Sequence, residues 1–396
     1  MSRLLTKKKV TDLLLLLGLS IAIFALFRFP EESITAALDG LSLSFNVILP
    51  SLFPFFVISS LMIRLGLSKY FGRILEPLMR PLFNVSGPCA SAVVLGFVGG
   101  YPVGAKTAIG LYEEGHIRKV EAERLLAFSN NSGPAFILGV VGVSIFASSR
   151  VGLLLYLIHA IASVLVGILF RFWGRGRHDQ KSKGKANTQT PPFSTAFLSS
   201  VTSSFSSTLN ICAFVIFFTV FIRLLFLTGA IGLAASFLAT LFSGFGLDFY
   251  WATMLLTGFI ELSSGVWGLR AAAGEVSSTI AMAAFMLGWA GLSVHCQVLS
   301  FIGGSGLSMR PYILGKTLHG AISAALVFCI SAFFPWHIPV SSALAEGVYG
   351  IAKTNFSTSI FIASLSAVSI CLLVLFVCLF PGNIRKKARQ REENGV

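Results

Sequence analysis

Between Gly96 and Gly142 the chain reads GFVGGYPVGAKTAIGLYEEGHIRKVEAERLLAFSNNSGPAFILGVVG. A run of glycines broken by Pro102, and then Asn130, Asn131, Ser132, Gly133 and Pro134, stand in sequence otherwise apolar enough to lie within a membrane. Backbone that cannot hold an unbroken helix persists at membrane depth only where protein or a water-filled cavity surrounds it. The stretch is therefore expected to form a site, and the fold must enclose it.

Composition sets the surroundings. Of the 396 residues 55% are hydrophobic and 12% charged, with a mean hydropathy of +0.83, more apolar surface than a soluble domain can bury. The expected class is an all-α polytopic membrane protein in a lipid bilayer, with about eight transmembrane helices plus two re-entrant helical hairpins in an inverted repeat. The net charge of +14 would suit nucleic acid, but Lys and Arg collect in cytoplasmic loops beside spans. The charge reads as topology, with no nucleic-acid partner. The six cysteines lie in apolar segments without paired spacing and imply neither a disulfide framework nor a metal site.

The first apolar run, Thr11 to Phe29, follows Arg3 and Lys7 to Lys9 and precedes no small-residue cleavage site, so it is retained as a span with a cytoplasmic N-terminus. Leu41 to Leu65 returns to the cytoplasm. Ser86 to Tyr112 is broken at Gly99, Gly100, Pro102 and Gly104, and as a hairpin it keeps His116, Arg118, Lys119 and Arg124 inside. Ala122 to Phe146 then crosses outward and Leu153 to Trp173 crosses back. After a basic linker come a span at Thr208 to Thr228, an outer-surface helix at Ala230 to Gly246, and a second hairpin at Phe249 to Ala273. Crossings at Val276 to Ile302, Tyr312 to Phe334 and Ser357 to Phe380 finish the chain. Five of the 30 Lys and Arg residues, Arg28, Arg150, Arg223, Arg270 and Lys353, fall at the outer end or face, and the C-terminus is cytoplasmic.

Weak internal similarity accompanies this topology. Phe55, Ile63 and Arg64 align with Phe214, Ile222 and Arg223, the breaks near Gly96 and Gly258 correspond, and Asn130 to Gly133 falls opposite Trp289 to Ser293, at an offset near 160 residues. The chain divides into an N-terminal helix and outer loop (1–40), a first repeat (41–173, hairpin 86–112), a basic cytoplasmic linker (174–193), a second, inverted repeat (194–336, hairpin 249–273) and a C-terminal helix with a basic tail (337–396). Inverted repeats with paired broken segments place a substrate site near the bilayer midplane.

The residues expected to bind solute are Pro102, Gly104 and Lys106 at the first hairpin, Asn130, Asn131, Ser132 and Gly133 at the first break, Ser263 and Ser264 at the second hairpin, and Ser293 and Gln297 near the second break. Lys106 could equally be a lysine snorkelling to headgroups. Glu261, an intramembrane carboxylate, is expected to carry a proton or ligate a coupling cation, Na+ or H+. His295 ranks below Gln297 and Ser293, and Thr317 and His319 read as interfacial. Catalytic and metal-binding constellations such as HExxH and CxxC do not occur, so no enzyme and no cofactor are expected. Monomer and homo-oligomer both stay open.

GYPVGAK at Gly100 to Lys106, RLLAFSNNSGPAFILGVVG at Arg124 to Gly142 and GFIELSSG at Gly258 to Gly265 resemble the YlbJ family of sporulation integral membrane proteins, also called SpoVV, which carry the nucleoside-recognition Gate domain. The resemblance covers most of the chain. It implies an architecture similar to concentrative nucleoside transporters, with two hairpins and two broken helices around the substrate. It also implies a role in endospore formation, with import of dipicolinic acid across the outer forespore membrane as the activity. A small planar dianion suits Lys106, exposed backbone N–H groups and the Asn130-Asn131-Ser132 group. A transporter of nucleosides and a non-transporting spore-membrane assembly protein are the alternatives.

Overall fold

A computed structural model describes residues 2–174, 191–271 and 275–333, and all regular structure among them is helical. The expected span Ser357 to Phe380, the basic tail and linker residues 175–190 lie outside the described residues.

By length and composition, five helical stretches among the described residues can cross a membrane: residues 9–28, Ser149–Phe170, Phe193–Leu227, Val276–Ile302 and Arg310–Phe333. Two further expected crossings are interrupted. At Leu41 to Leu65 a π-turn at Ser44–Ile48 divides α2 (Pro30–Leu43) from α3 (Leu49–Arg64), which holds Pro54. At Ala122 to Phe146, α7 (Lys119–Phe128) stops and helix resumes as a π-helical segment, Ala135–Ile145. Between them come α4 (Ser68–Phe83), α5 (Ala90–Gly99) and α6 (Val103–Glu113), after α1 (Ser2–Arg28) at the N-terminus. The later helices are α8 (Ser149–Phe170), α9 (Phe193–Leu227), α10 (Ala230–Leu241), α11 (Phe249–Ile260), α12 (Leu262–Gly268), α13 (Val276–Trp289), α14 (Gly291–Ile302) and α15 (Arg310–Phe333).

The order recurs. A long helical run (α2–α3, then α9) leads to a short helix (α4, then α10), a hairpin (α5–α6, then α11–α12), a broken helix (α7 and the π segment, then α13–α14) and a long closing helix (α8, then α15). α4, Ser68–Phe83, lies between the expected crossing at Leu41 to Leu65 and the expected hairpin at Ser86 to Tyr112. It is an amphipathic helix burying Gly72, Met79 and Phe83 while exposing Tyr70, Arg73, Ile74 and Arg80, and the segment after it turns by 90°. Such a helix suits the plane of a membrane interface.

Both hairpins turn where helix cannot continue. Gly100 sits at φ 76, a conformation that L side chains resist, and Tyr101-Pro102 completes the first turn. In the second, Glu261 leaves helical geometry at φ −142, ψ 121 and caps α12. The first hairpin has no side chains at its seat: an added Cβ at Gly96 or at Gly104 would lie 1.9 Å from the Ser129 carbonyl oxygen. Small residues of this kind let helices approach within backbone contact where lipid gives no hydrophobic drive. The same device sets α15. A Cβ on Gly315 would come 2.3 Å from the Ala127 oxygen of α7, and one on Gly288 of α13 would come 2.5 Å from the Gly320 Cα.

Gly104→Ala is expected to destabilise the protein by about 1–3 kcal/mol, the usual range for overpacking, whereas Gly139→Ala, with nothing within 4 Å of the new methyl, leaves stability unchanged. Thermal unfolding in detergent, followed by the monodisperse fraction on size exclusion, checks the pair.

Candidate functional site

Where α7 stops, its last carbonyls have no partners within the helix, and apolar protein surrounds them. The neighbours supply donors. The Phe128 carbonyl accepts from Ser163 Oγ at 2.7 Å and from Asn131 Nδ2 at 3.0 Å, and the Asn130 carbonyl accepts from Lys316 Nζ at 3.0 Å. On the far side of the break, the Ser132 N–H donates to His159 Nε2 at 3.1 Å. Asn130, Asn131, Ser132 and Lys316 are all buried.

Lys316 stands at the centre of this group. Its Nζ reaches three acceptors: the Asn130 carbonyl, the Tyr101 hydroxyl at 3.0 Å and His319 Nδ1 at 3.3 Å. Tyr101, at the first hairpin tip, donates in turn to the Leu287 carbonyl of α13 at 2.5 Å. Tyr312, one turn before Lys316, lies 3.4 Å from Asn130 Nδ2 and 3.0 Å from His295 Nδ1 on α14. His319 Nε2 meets the His159 carbonyl at 3.0 Å, and the two imidazoles lie 4.3 Å apart between centroids. The first hairpin, both broken helices and both closing helices thus meet in one polar cluster.

The second hairpin joins it through backbone. An added Cβ on Gly291 would lie 2.9 Å from the Leu262 nitrogen, much as one on Gly100 would lie 2.9 Å from the Gly133 nitrogen. Each hairpin tip therefore rests against the break of its own repeat, and the Tyr101–Leu287 and Asn130–Tyr312–His295 bonds tie one half to the other.

The proton positions follow from the contacts. His319 faces a carbonyl with Nε2, which carries its hydrogen, so Nδ1 accepts. Tyr101 gives its hydrogen to Leu287 and accepts from Lys316. His159 accepts at Nε2, leaving an N–H at Nδ1, and His295, accepting from Tyr312 at Nδ1, carries its N–H at Nε2. His159 Nδ1 and His295 Nε2, together with the side-chain oxygens of Asn130 and Asn131, are buried and have no hydrogen-bond partners among the described residues. Each such orphan costs about 1–3 kcal/mol, so the cluster holds two unmet donors and two unmet acceptors in apolar protein. Among the described residues Lys316 forms no ion pair with a carboxylate.

Several expected site residues fall within or beside this arrangement and others do not. Asn130, Asn131 and Ser132 line the cluster, Pro102 and Gly133 are at the tip and break, and Gly104 is a packing residue seated on Ser129. Ser293 and Gln297 are buried on α14, the helix that carries His295. Lys106 is elsewhere. Its ammonium bonds Ser207 Oγ of α9 and lies 5.3 and 5.0 Å from the ring centroids of Phe56 and Phe301, beside a cavity of about 180 Å³ that Arg64, Glu113 and Glu114 also line. α6 packs Val103, Thr107 and Lys106 against α3 and α9, whereas Tyr101, ahead of α6, reaches Lys316. Ser263 and Ser264 are exposed and, with their backbone N–H groups at 2.9 and 2.7 Å and the Ser264 hydroxyl at 2.8 Å, engage the Glu261 carboxylate as a helix cap. The Glu261 carboxylate thus caps the helix that follows it.

Lys316, His159, His319, Tyr312 and Tyr101 were not singled out from sequence as binding residues, and His319 was set aside as interfacial. A signal did exist: Tyr156 and Lys316, His159 and His319, and Ser163 and Ser323 are each separated by 160 positions, the offset already visible between the halves.

The family model for the nucleoside-recognition Gate domain matches residues 45–213, from the π-turn through the first hairpin, first break and linker into α9. CNTnw, as a variant in an outward-facing state, aligns over 83% of this chain and 87% of its own, with 11% identity and a TM-score of 0.42. The sporulation integral membrane protein YlbJ of Bacillus subtilis (strain 168) is 30% identical over 374 residues, covering 89% of this chain and 91% of that protein. On that extent of similarity, the chain belongs to the YlbJ family of sporulation integral membrane proteins.

Proposed function

We propose that the protein is a secondary transporter that moves a small carboxylate anion, with dipicolinic acid as the leading candidate, across the outer forespore membrane by alternating access. The N- and C-termini face the cytoplasm in this reading. The observation that carries it is Lys316, a buried lysine with no carboxylate partner among the described residues, where two hairpin tips and two broken helices converge. The end of α7 offers about half a negative charge as its helix dipole, which offsets the ammonium only in part. An anion completes the balance, and the unmet N–H groups of His159 and His295 give its oxygens further donors.

Membership of a sporulation family supports the compartment and a spore-specific solute. A scaffold role accounts less well for the same features, because packing alone is served better by satisfied apolar contacts than by four orphaned polar atoms. A nucleoside is the second reading. The Gate-domain match favours it, as do the unmet Asn130 and Asn131 oxygens, which would accept from ribose hydroxyls or base amines. It leaves the charge on Lys316 unanswered.

Reconstituted protein is expected to take up dipicolinate. Lys316→Gln should reduce that uptake at least about thirtyfold, the loss that follows when a buried hydrogen-bonded charge is removed, while Lys106→Gln changes it by less than about threefold. The reverse order of effects would move the site to the Lys106 cavity, and unlabelled nucleosides competing better than dicarboxylates would favour the second reading. Glu261→Gln is expected to lower thermal stability by about 0.5–2 kcal/mol through a weakened cap and to leave the pH profile of uptake unaltered. A shifted profile would restore Glu261 to the transport mechanism.

A further inference from the structure

Counting hydrogens around Lys316 gives more than a binding residue. The Asn130 carbonyl, the Tyr101 oxygen and His319 Nδ1 all accept, for the reasons given above, so the three hydrogens of a protonated Nζ each find an acceptor, whereas the neutral amine, with two, leaves one acceptor unmet. The groups facing it are Tyr101 from the first hairpin, Tyr312 and His319 from α15, His159 from α8, His295 from α14 and the carbonyl end of α7; α13 offers only the Leu287 carbonyl, through Tyr101. Among the described residues none of these is anionic. The carboxylates of α7 are engaged elsewhere: Glu121 accepts from the Ser86 and Arg118 N–H groups at 2.7 and 2.9 Å, and Glu123 from Trp173 Nε1 and the Ser308 N–H at 3.0 and 3.2 Å.

We propose that Lys316 carries the proton with which an anionic solute is co-transported, so that the coupling ion is H+ and its carrier is an amine. The proposal rests on the anion-transport reading above. A buried ammonium is strongly disfavoured once its compensating charge leaves. Anion and proton are therefore loaded together and released together. The amine takes H+ from water on the side where the anion enters, forming one N–H bond, and the ammonium returns that H+ to water on the side where the anion departs. No other reactant is needed. A monoanion then crosses without net charge, and a dianion carries one negative charge with it.

Two measurements on the intact protein test this. In weakly buffered detergent solution, adding dipicolinate is expected to draw about one proton from solution per solute bound, by stoichiometry, and in proteoliposomes an acid-outside pH gradient should drive accumulation where a Na+ gradient does not. Lys316→Arg, whose guanidinium stays protonated, should show no proton uptake on whatever binding it retains. Binding without proton uptake in the native protein, or accumulation driven by Na+ alone, would overturn the assignment while leaving the transport reading intact. Absence of both binding and solute exchange in the native protein would instead overturn the transport reading, and the proton with it.

Discussion

The termination of α7 inside the protein is the constraint on which the remaining structure depends. A helix that stops in apolar surroundings leaves carbonyls that must find hydrogen, and side chains from three other helices or loops are positioned to give it. Ser163 comes from α8, Lys316 from α15, and Asn131 from the break itself. Because Lys316 has to reach Asn130, α15 has to lie against α7, and Gly315 allows it by leaving room for the Ala127 carbonyl. Gly320 then holds the same helix against α13. The position of one cation thus follows from the backbone needs of a broken helix and from the two glycines beside it.

Hairpins and breaks were legible in the sequence because their cause is local. Gly and Pro at Gly99 to Gly104 and at Gly133-Pro134 interrupt helix whatever packs around them, whereas the capping of α12 by Glu261 was not read from the sequence. Position along a span is also local, which is why His319 and Thr317, a turn or two inside α15, read as interfacial. Whether a side chain near a helix end points to headgroups or inward depends on the neighbours, and those were set by glycine contacts between segments far apart in sequence. Lys106 and Lys316 make the contrast clear. Both follow a glycine within two residues and both lie in long apolar segments, yet one faces a cavity between α3, α6 and α9 and the other is enclosed by both repeats.

The repeat supplied the missing information in a form that hydropathy could not weigh. Tyr156, His159 and Ser163 stand at the same register of α8 as Lys316, His319 and Ser323 of α15, and all six are buried. Symmetry brings the stripes face to face, so the imidazoles meet. The departure from symmetry is Tyr156 against Lys316, which gives one half the charge and the other a neutral hydroxyl. Asn130 and Asn131 have no polar counterparts at Ala290 and Gly291 either. A similar frame therefore holds chemically different halves.

The seat of the first hairpin has a mechanical side as well. Between Gly96, Gly104 and the Ser129 carbonyl there are no interdigitated side chains, only backbone against backbone, joined by weak contacts of about 0.5–1 kcal/mol each of the Cα–H···O kind. Most packed interfaces resist sliding because rotamers must be lifted past one another. At this seat nothing needs lifting, so what resists tilting of the hairpin is left to the side chains of Val103 and Thr107 and to the bond from Tyr101 to the Leu287 carbonyl at its tip.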